Sequence, residues 1–249
     1  MLIFDAVVDY IAGFDKDFRS SIEGASEQEL AELEVLIGQD LPDVYRDFLA
    51  VMGRSTAWID IQSLDFRIQT VLDYYRRDDA LRVDEFLRIG SDTKDPTFNP
   101  HLQLSLVAPE LKVVAFPGCN EATFAEMTAR HLSQLAGSLP ELFSRPAFRI
   151  FEIHGADRTP IGLLARKRVR GQVSLVDDLV ASRYGLEPAF WSSAAVRGYS
   201  APGIALEVAQ LGGRSLELLL RVDDPSEQEN IAAWLATQLD AEICSLSAP

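Results

Sequence analysis

Residues 26–53 constrain the fold most. Ser26 followed three residues later by Glu29 is a capping box, in which side chain and backbone satisfy each other's free groups at a helix start. Leu30, Leu33 and Ile37 then recur at i, i+3 and i+7 and share one helical face, and Gly38 is a natural stop. Leu41-Pro42 opens a second helix with proline at its first position. Tyr45, Phe48, Leu49 and Met52 repeat the helical spacing before Gly53. Two apolar stripes on a short helical hairpin cannot face water, so the rest of the chain must cover them. A chain of 249 residues, 47% hydrophobic and 24% charged, has the apolar material for one large domain or two small ones. Those proportions exclude a disordered or fibrous chain.

Residues 1–24, with Leu2, Ile3, Phe4, Val7, Val8, Ile11 and Phe14 between acids, predict an amphipathic helix or a strand leading into one. Trp58, Ile59 and Ile61 suggest an extended segment, and a helix is expected over about 65–77. Phe86 to Ile89 reads as a strand ending at Gly90, and 91–100 as a polar loop. Leu102, Leu104 and Leu106 alternate with polar residues as a half-buried strand does, and Leu111 to Phe116 is another short apolar run, stopped by Pro117-Gly118. Thr123 to Leu135 reads as helix, extended by Leu139 to Phe143.

A boundary is expected near Ser144-Arg145-Pro146, giving domains of 1–146 and 147–249. Charge changes there: residues 1–148 hold 25 acids and 13 bases, residues 149–249 hold 13 and 10. The second part is expected to open with a strand, Phe148 to Ile153. It continues with a hairpin, Ile204 to Leu211 and Leu216 to Val222, closed by Gly212-Gly213. Asp223 to Ser226 cap a helix over about 226–239, and a last strand runs from Ile243 to Leu246. The fold class expected is α+β throughout.

The formal charge is −15. Phosphate contacts need a basic face, so a nucleic-acid binder is not expected, whereas a basic protein partner fits. Cys119 and Cys244 stand far apart and in no CxxC, which argues against a disulfide framework and fits a reducing compartment. The start has no basic segment, and Asp5 and Asp9 break its apolar run, so a secretory signal is not expected. No stretch approaches the roughly 20 apolar residues of a membrane helix, so no membrane partner is expected and the cytoplasm is the default location.

The stretch ELAELEVLIGQDLPDVYRDFLAVMG (29–53) resembles the opening of the SMI1/KNR4, or SUKH, family. The matches are Glu34, Ile37-Gly38, Leu41-Pro42, Tyr45, Phe48-Leu49 and Gly53; FLRIGSD (86–92) resembles the family's later strand, and Thr123 to Leu142 sits where the family has a closing helix. The resemblance covers about residues 20–145 and departs from the family at Ile37, where Leu is usual, and at Arg54-Ser55. It implies a central antiparallel sheet with helices beside it. It also implies a bacterial immunity protein that binds and neutralises a cognate toxin, often a nuclease or deaminase. A nuclease holds phosphate in a basic cleft, so an acidic inhibitor would speed encounter and mimic the nucleic acid.

The acids of residues 5–47 are either a solvated helix face or an electrostatic docking surface. The candidate partner-binding residues are Asp40, Asp43 and Asp47, with Asp78, Asp79, Asp92 and Asp95 in or beside turns. Asp43 and Asp47 are four apart and share a helix face, a like-charge pair that a partner's Lys or Arg would relieve. The Tyr45 and Phe48-Leu49 segment is read as core. No EF-hand spacing occurs, and none of HExxH, GxSxG, GxxxxGK[ST] or GxGxxG, so no metal, cofactor or catalytic residue is expected. The three histidines, His101, His131 and His154, stand apart from the cysteines. RKRVR (166–170) reads as a charged strand edge, and Trp191, Phe190 and Tyr199 as core or an aromatic anchor. Two alternatives to the toxin-binding reading stay open: an enzyme or small-ligand-binding protein with its site in the C-terminal half, and a regulatory interaction module.

Overall fold

A computed structural model describes the chain except residues 1–2, 60, 62, 81, 83, 96–98, 105–110, 116–132, 156–158, 166–171, 212–214 and 245–249. Cys119, His131, Pro117-Gly118, the helix expected over 123–132, the RKRVR cluster and Gly212-Gly213 lie outside the described residues, as do parts of the strands expected around Leu106 and Leu246. All described strand pairings are antiparallel, and the chain is α+β, as its sequence predicts. It divides into two compact units, Met1–Ser144 and Arg145–Pro249.

In the first unit, α1 (Ile3–Phe14) buries Phe4, Val7, Val8 and Ile11. A single turn, α2 (Phe18–Ser21), leads into β1 (Ile22–Glu23). Helix α3 (Glu27–Ile37) starts at the expected capping box: the Ser26 hydroxyl accepts from the Glu29 N–H, and the Ser26 N–H donates to the Glu29 carboxylate at 2.8 Å. Gly38 ends α3 in the left-handed region at φ 77°, where a side chain would be strained. Helix α4 (Asp43–Met52) follows, with Pro42 one residue outside it, at the N-cap rather than the first turn. Tyr45, Phe48, Leu49 and Met52 are all fully buried. Phe48 stacks on Phe143 with ring centroids 4.6 Å apart, and Phe4 meets Phe48 at 5.3 Å, so the second stripe seeds an aromatic core. Tyr45 is a core ring by its complete burial, and its hydroxyl has no hydrogen-bond partner among the described residues.

After α4 come β2 (Ser55–Thr56), β3 (Leu64–Asp65) and α5 (Ile68–Tyr75). Trp58 is not extended as expected. It lies in a turn that Ala57 enters at φ 55°, and its indole N–H donates to Asp15 at 2.8 Å. Strands β4 (Phe86–Arg88), β6 (His101–Gln103), β7 (Val113–Ala115) and β8 (Ser133–Ala136) form a four-stranded sheet in that order, while β5 (Ser91–Asp92) pairs with β3. Residues 133–135 are therefore strand where helix was expected. Pairing with Val113–Ala115 takes up their backbone, and tertiary context overrides local propensity.

His101 is buried in β6, opposite Arg88, with Nδ1 2.9 Å from the Asn99 carbonyl oxygen. Burial pushes its pKa down to about 3; the Asn99 carbonyl opposes that and the Arg88 charge adds to it. An unfolded histidine titrates near 6.5. The stability that neutral His101 confers is therefore complete above about pH 6.5 and is lost as pH falls towards 3, at up to about 1.4 kcal/mol per pH unit. Urea unfolding across this range should show a shallower acid loss for His101→Gln than for the native chain, by about 2 kcal/mol at pH 4.5. Parallel curves would contradict this role.

Helix α6 (Leu139–Ala147) carries the chain across the division, and the segment Phe148–Ile153 continues it as a π-helix rather than the strand expected. Pro146 supplies no N–H to the ladder, and beyond it the spacing widens: the His154 N–H donates to the Arg149 carbonyl, five residues back. Phe148 and Ile153, five apart, are buried, whereas Ile150 is exposed.

The second unit contains a five-stranded sheet. Its strands are β9 (Ile161–Ala165), β10 (Val196–Ala201), β11 (Ile204–Leu211), β12 (Ser215–Val222) and β13 (Glu242–Cys244), ordered β10-β11-β12-β9-β13. Helices α7 (Gln172–Tyr184) and α8 (Pro225–Leu239) cover one face. There Val176 and Val180 of α7 and Ile231 and Leu235 of α8 pack with Leu206, Val208, Leu218 and Leu220. The hairpin and α8 fall where the sequence places them, with Asp224 as the α8 cap; α7 had no clear sequence signal. Trp191 and Tyr199 are core and Phe190 is exposed. Trp191 lies on Gly198, where an added Cβ would meet its ring at 2.3 Å.

Candidate functional site

The candidate site is the acidic surface of the first unit, and its value depends on which charges the fold has already neutralised. Most acids of α3 are spent. Arg46 reaches back from α4 to Glu34 at 2.6 Å and Glu27 at 2.7 Å. Arg54 pairs with Glu29 at 2.9 Å and Glu23 at 3.0 Å, and Arg76, just after α5, pairs with Glu32 at 2.8 Å and Asp73 at 2.9 Å. Burial raises the Glu29 pKa, but the Ser26 N–H and the Arg54 guanidinium outweigh it and hold the carboxyl below its ordinary value. Near the start of the chain, Asp9 pairs with Arg19 and Asp15 accepts from Trp58. These pairs tie helices together; exposed ones are worth only about 0.2–1 kcal/mol each.

The seven candidate residues fall in three places. Asp40 is exposed between α3 and α4, Asp43 is exposed in the first turn of α4, and Asp47 is half-buried one turn on. The carboxylates of these three, and that of Asp17, make no ion pair or hydrogen bond among the described residues. The inward face of α4 is taken by its apolar stripe, so Asp43, Asp47 and exposed Ala50 form the outer one. Asp43 gains from the helix N-terminus beside it, while Asp47 adds a like charge four residues on, which costs a few tenths of a kcal/mol.

Asp78 and Asp79 are exposed in the turn after α5. Asp79 is held by Arg77 through two bonds of 2.9 and 2.7 Å, and that guanidinium lowers its carboxyl pKa. Asp92 is a structural anchor. Its carboxylate accepts from the Lys94 N–H at 2.7 Å, the Asp95 N–H at 2.9 Å and the Ser63 hydroxyl at 2.9 Å. Burial raises its pKa, and these donors outweigh burial to lower it. Asp92 and Asp95 thus build a turn, with Asp95 exposed. The sequence could not separate the free acids from the engaged ones, because the arginines that neutralise α3 come from elsewhere in the chain.

In the second unit the buried charges answer one another. Glu207 is gripped by Arg145 and Arg149. Asp177 of α7 accepts from the Tyr199 hydroxyl and stands 3.4 Å from Arg197, and burial with that carboxylate pushes the Tyr199 pKa up. Both clusters join one element to another. Among the described residues no group of three or more His, Cys, Asp or Glu is placed to hold a metal ion, and no helix is long and apolar enough to cross a membrane. No family model, curated protein or solved structure matches this chain.

Proposed function

We propose that the chain is a bacterial immunity protein of the SMI1/KNR4 kind, which binds and neutralises a basic toxin domain through the acidic surface of its first unit. The observation that carries this reading is the contrast on the helical hairpin. The fold provides arginines for Glu23, Glu27, Glu29, Glu32 and Glu34, yet leaves Asp40, in the link before α4, and Asp43 and Asp47, on its outer side, without a counter-ion among the described residues. Folding alone gains little from a like-charge pair at i and i+4, whereas a cationic partner gains steering and register from it. The resemblance of residues 29–53 to the family supports the same reading and brings the toxin class with it.

The partner is a compact domain with a basic cleft, such as a nuclease, whose cleft the acids would fill in place of phosphate. Co-expression tests this. The chain, produced with the toxin domain encoded beside its gene, is expected to co-purify with it and to restore growth of cells making that toxin. Growth arrest despite abundant folded protein, or a neighbouring gene product that never binds, would overturn the reading.

A further inference from the structure

Helices α3 and α5 end at the same place, at Ile37 and Tyr75, beside a dent of about 40 Å³. Its buried and half-buried walls are Ile37, Tyr75, Phe86 and Leu87, and its exposed rim carries Arg82 and Asp84. A helix C-terminus carries about half a negative charge, so two of them make the spot attractive to cations. The fold itself uses this attraction. Arg82 donates to the carbonyls of Leu36 at 3.0 Å, Tyr75 at 3.1 Å and Ala80 at 3.3 Å. Its single charge is balanced by the two helix ends, and three of its five N–H groups are engaged. The Asp84 carboxylate on the same rim is left over, with no ion pair or hydrogen bond among the described residues.

The geometry points to a socket for one arginine side chain of a partner protein, with its stem on Ile37 and Phe86 and its guanidinium at Asp84. A dent of this size admits the end of one side chain and no larger ligand, since a site for a single water already needs some 10–15 Å³. Arginine suits it because a long apolar stem and a planar, weakly hydrated cation match an apolar wall beside a carboxylate. This inference rests on the toxin-binding reading for its biological partner and adds an anchoring point to the acids of α4, with Gln39 and Asp40 the next residues along the chain from the dent.

The test is an NMR titration of the full chain with N-acetyl-arginine methylamide, and with the citrulline analogue that keeps the stem but not the charge. Amide shifts are expected at Gln39, Phe86 and Leu87. Binding should weaken about three- to fivefold for citrulline or for Asp84→Asn, the worth of one exposed charge contact. Glu229→Gln, at an exposed position of α8 in the second unit, should leave it unchanged, and the unliganded spectrum of Asp84→Asn reports whether that variant is folded. Equal binding of both probes, no effect of Asp84→Asn, or shifts confined to α4 would each overturn the socket. The two ideas fail separately. Toxin binding that is insensitive to Asp84→Asn removes the socket as an anchor and keeps the reading, whereas arginine binding without any toxin complex keeps the socket and removes the reading.

Discussion

Replacing Glu207 by alanine is expected to destabilise the second unit by about 3 kcal/mol or more. Glu207 is 1% exposed, on the sheet face away from α7 and α8. Its carboxylate accepts from Arg145 Nη2 at 2.7 Å and Nε at 3.0 Å, and from Arg149 Nη2 at 2.6 Å and Nε at 2.9 Å. Burial raises the Glu207 pKa, but Arg149 and Arg145 more than reverse this and hold it below the ordinary value. Its contribution is therefore present above the unfolded carboxylate range and is lost as pH falls through the lower folded pKa. Removing the carboxylate leaves two partly buried guanidinium groups facing each other, with only the looser Glu217 carboxylate, 3.9 Å from Arg149, as a remaining counter-charge. Thermal unfolding followed by circular dichroism should show a drop of about 10 °C or more. Removing all three charges together, with Glu207→Leu, Arg145→Met and Arg149→Met, should recover much of the loss, since an apolar cluster needs no desolvation. A melting temperature unchanged by Glu207→Ala would mean that the cluster is not closed as described.

The second large effect is expected at Gly24, where the chain passes from β1 to α3. A Cβ there would lie 1.9 Å from the Ala50 carbonyl oxygen and 2.8 Å from its carbon, both backbone atoms of α4. No side-chain rotation relieves that clash. Gly24→Ala must push the chain off α4, breaking the Ala25 N–H bond to the Leu49 carbonyl at 2.8 Å and the one from the Arg54 N–H to the Glu23 carbonyl at 2.8 Å. Overpacking usually costs 1–3 kcal/mol, and a backbone obstacle puts this case at or above the top of that range, about 3 kcal/mol. Hydrogen exchange is the direct readout: the amides of Ala25 and Arg54 should lose protection about 100-fold. Gly13, where an added Cβ meets nothing within 4 Å, is the control and should tolerate alanine with little change.

Local chemistry was legible in the sequence and long-range chemistry was not. Ser26, Glu29, Gly38 and the Tyr45 to Met52 stripe act within a turn or two, and they mark α3 and α4 correctly. The hairpin of β11 and β12 and the cap at Asp224 are equally local. The segment Phe148–Ile153 alternates in a way that reads as strand, but Pro146 and the grip of Arg149 on Glu207 make it a widened helix. Residues 133–135 look helical until β7 claims them. In the acidic surface, what decides a residue's role is a partner far along the chain: Arg46 is 12 residues from Glu34, Arg54 is 25 from Glu29 and Arg76 is 44 from Glu32. Counting acids marks the region as negative; only the folded chain separates the acids it consumes from those it leaves facing water.

The affinity of the chain for the proposed basic toxin domain, measured by calorimetry against salt for the native form and for Asp40→Asn, Asp43→Asn, Asp47→Asn combined, tests the proposed docking surface most directly. Among the described residues these side chains make no ion pair or hydrogen bond, so the melting temperature should stay within about a degree or two, as for other surface changes. Affinity at low salt is expected to fall about tenfold or more, and the remaining binding should depend less on ionic strength. An unchanged affinity with an unchanged salt dependence would contradict the assignment of these three acids to the toxin.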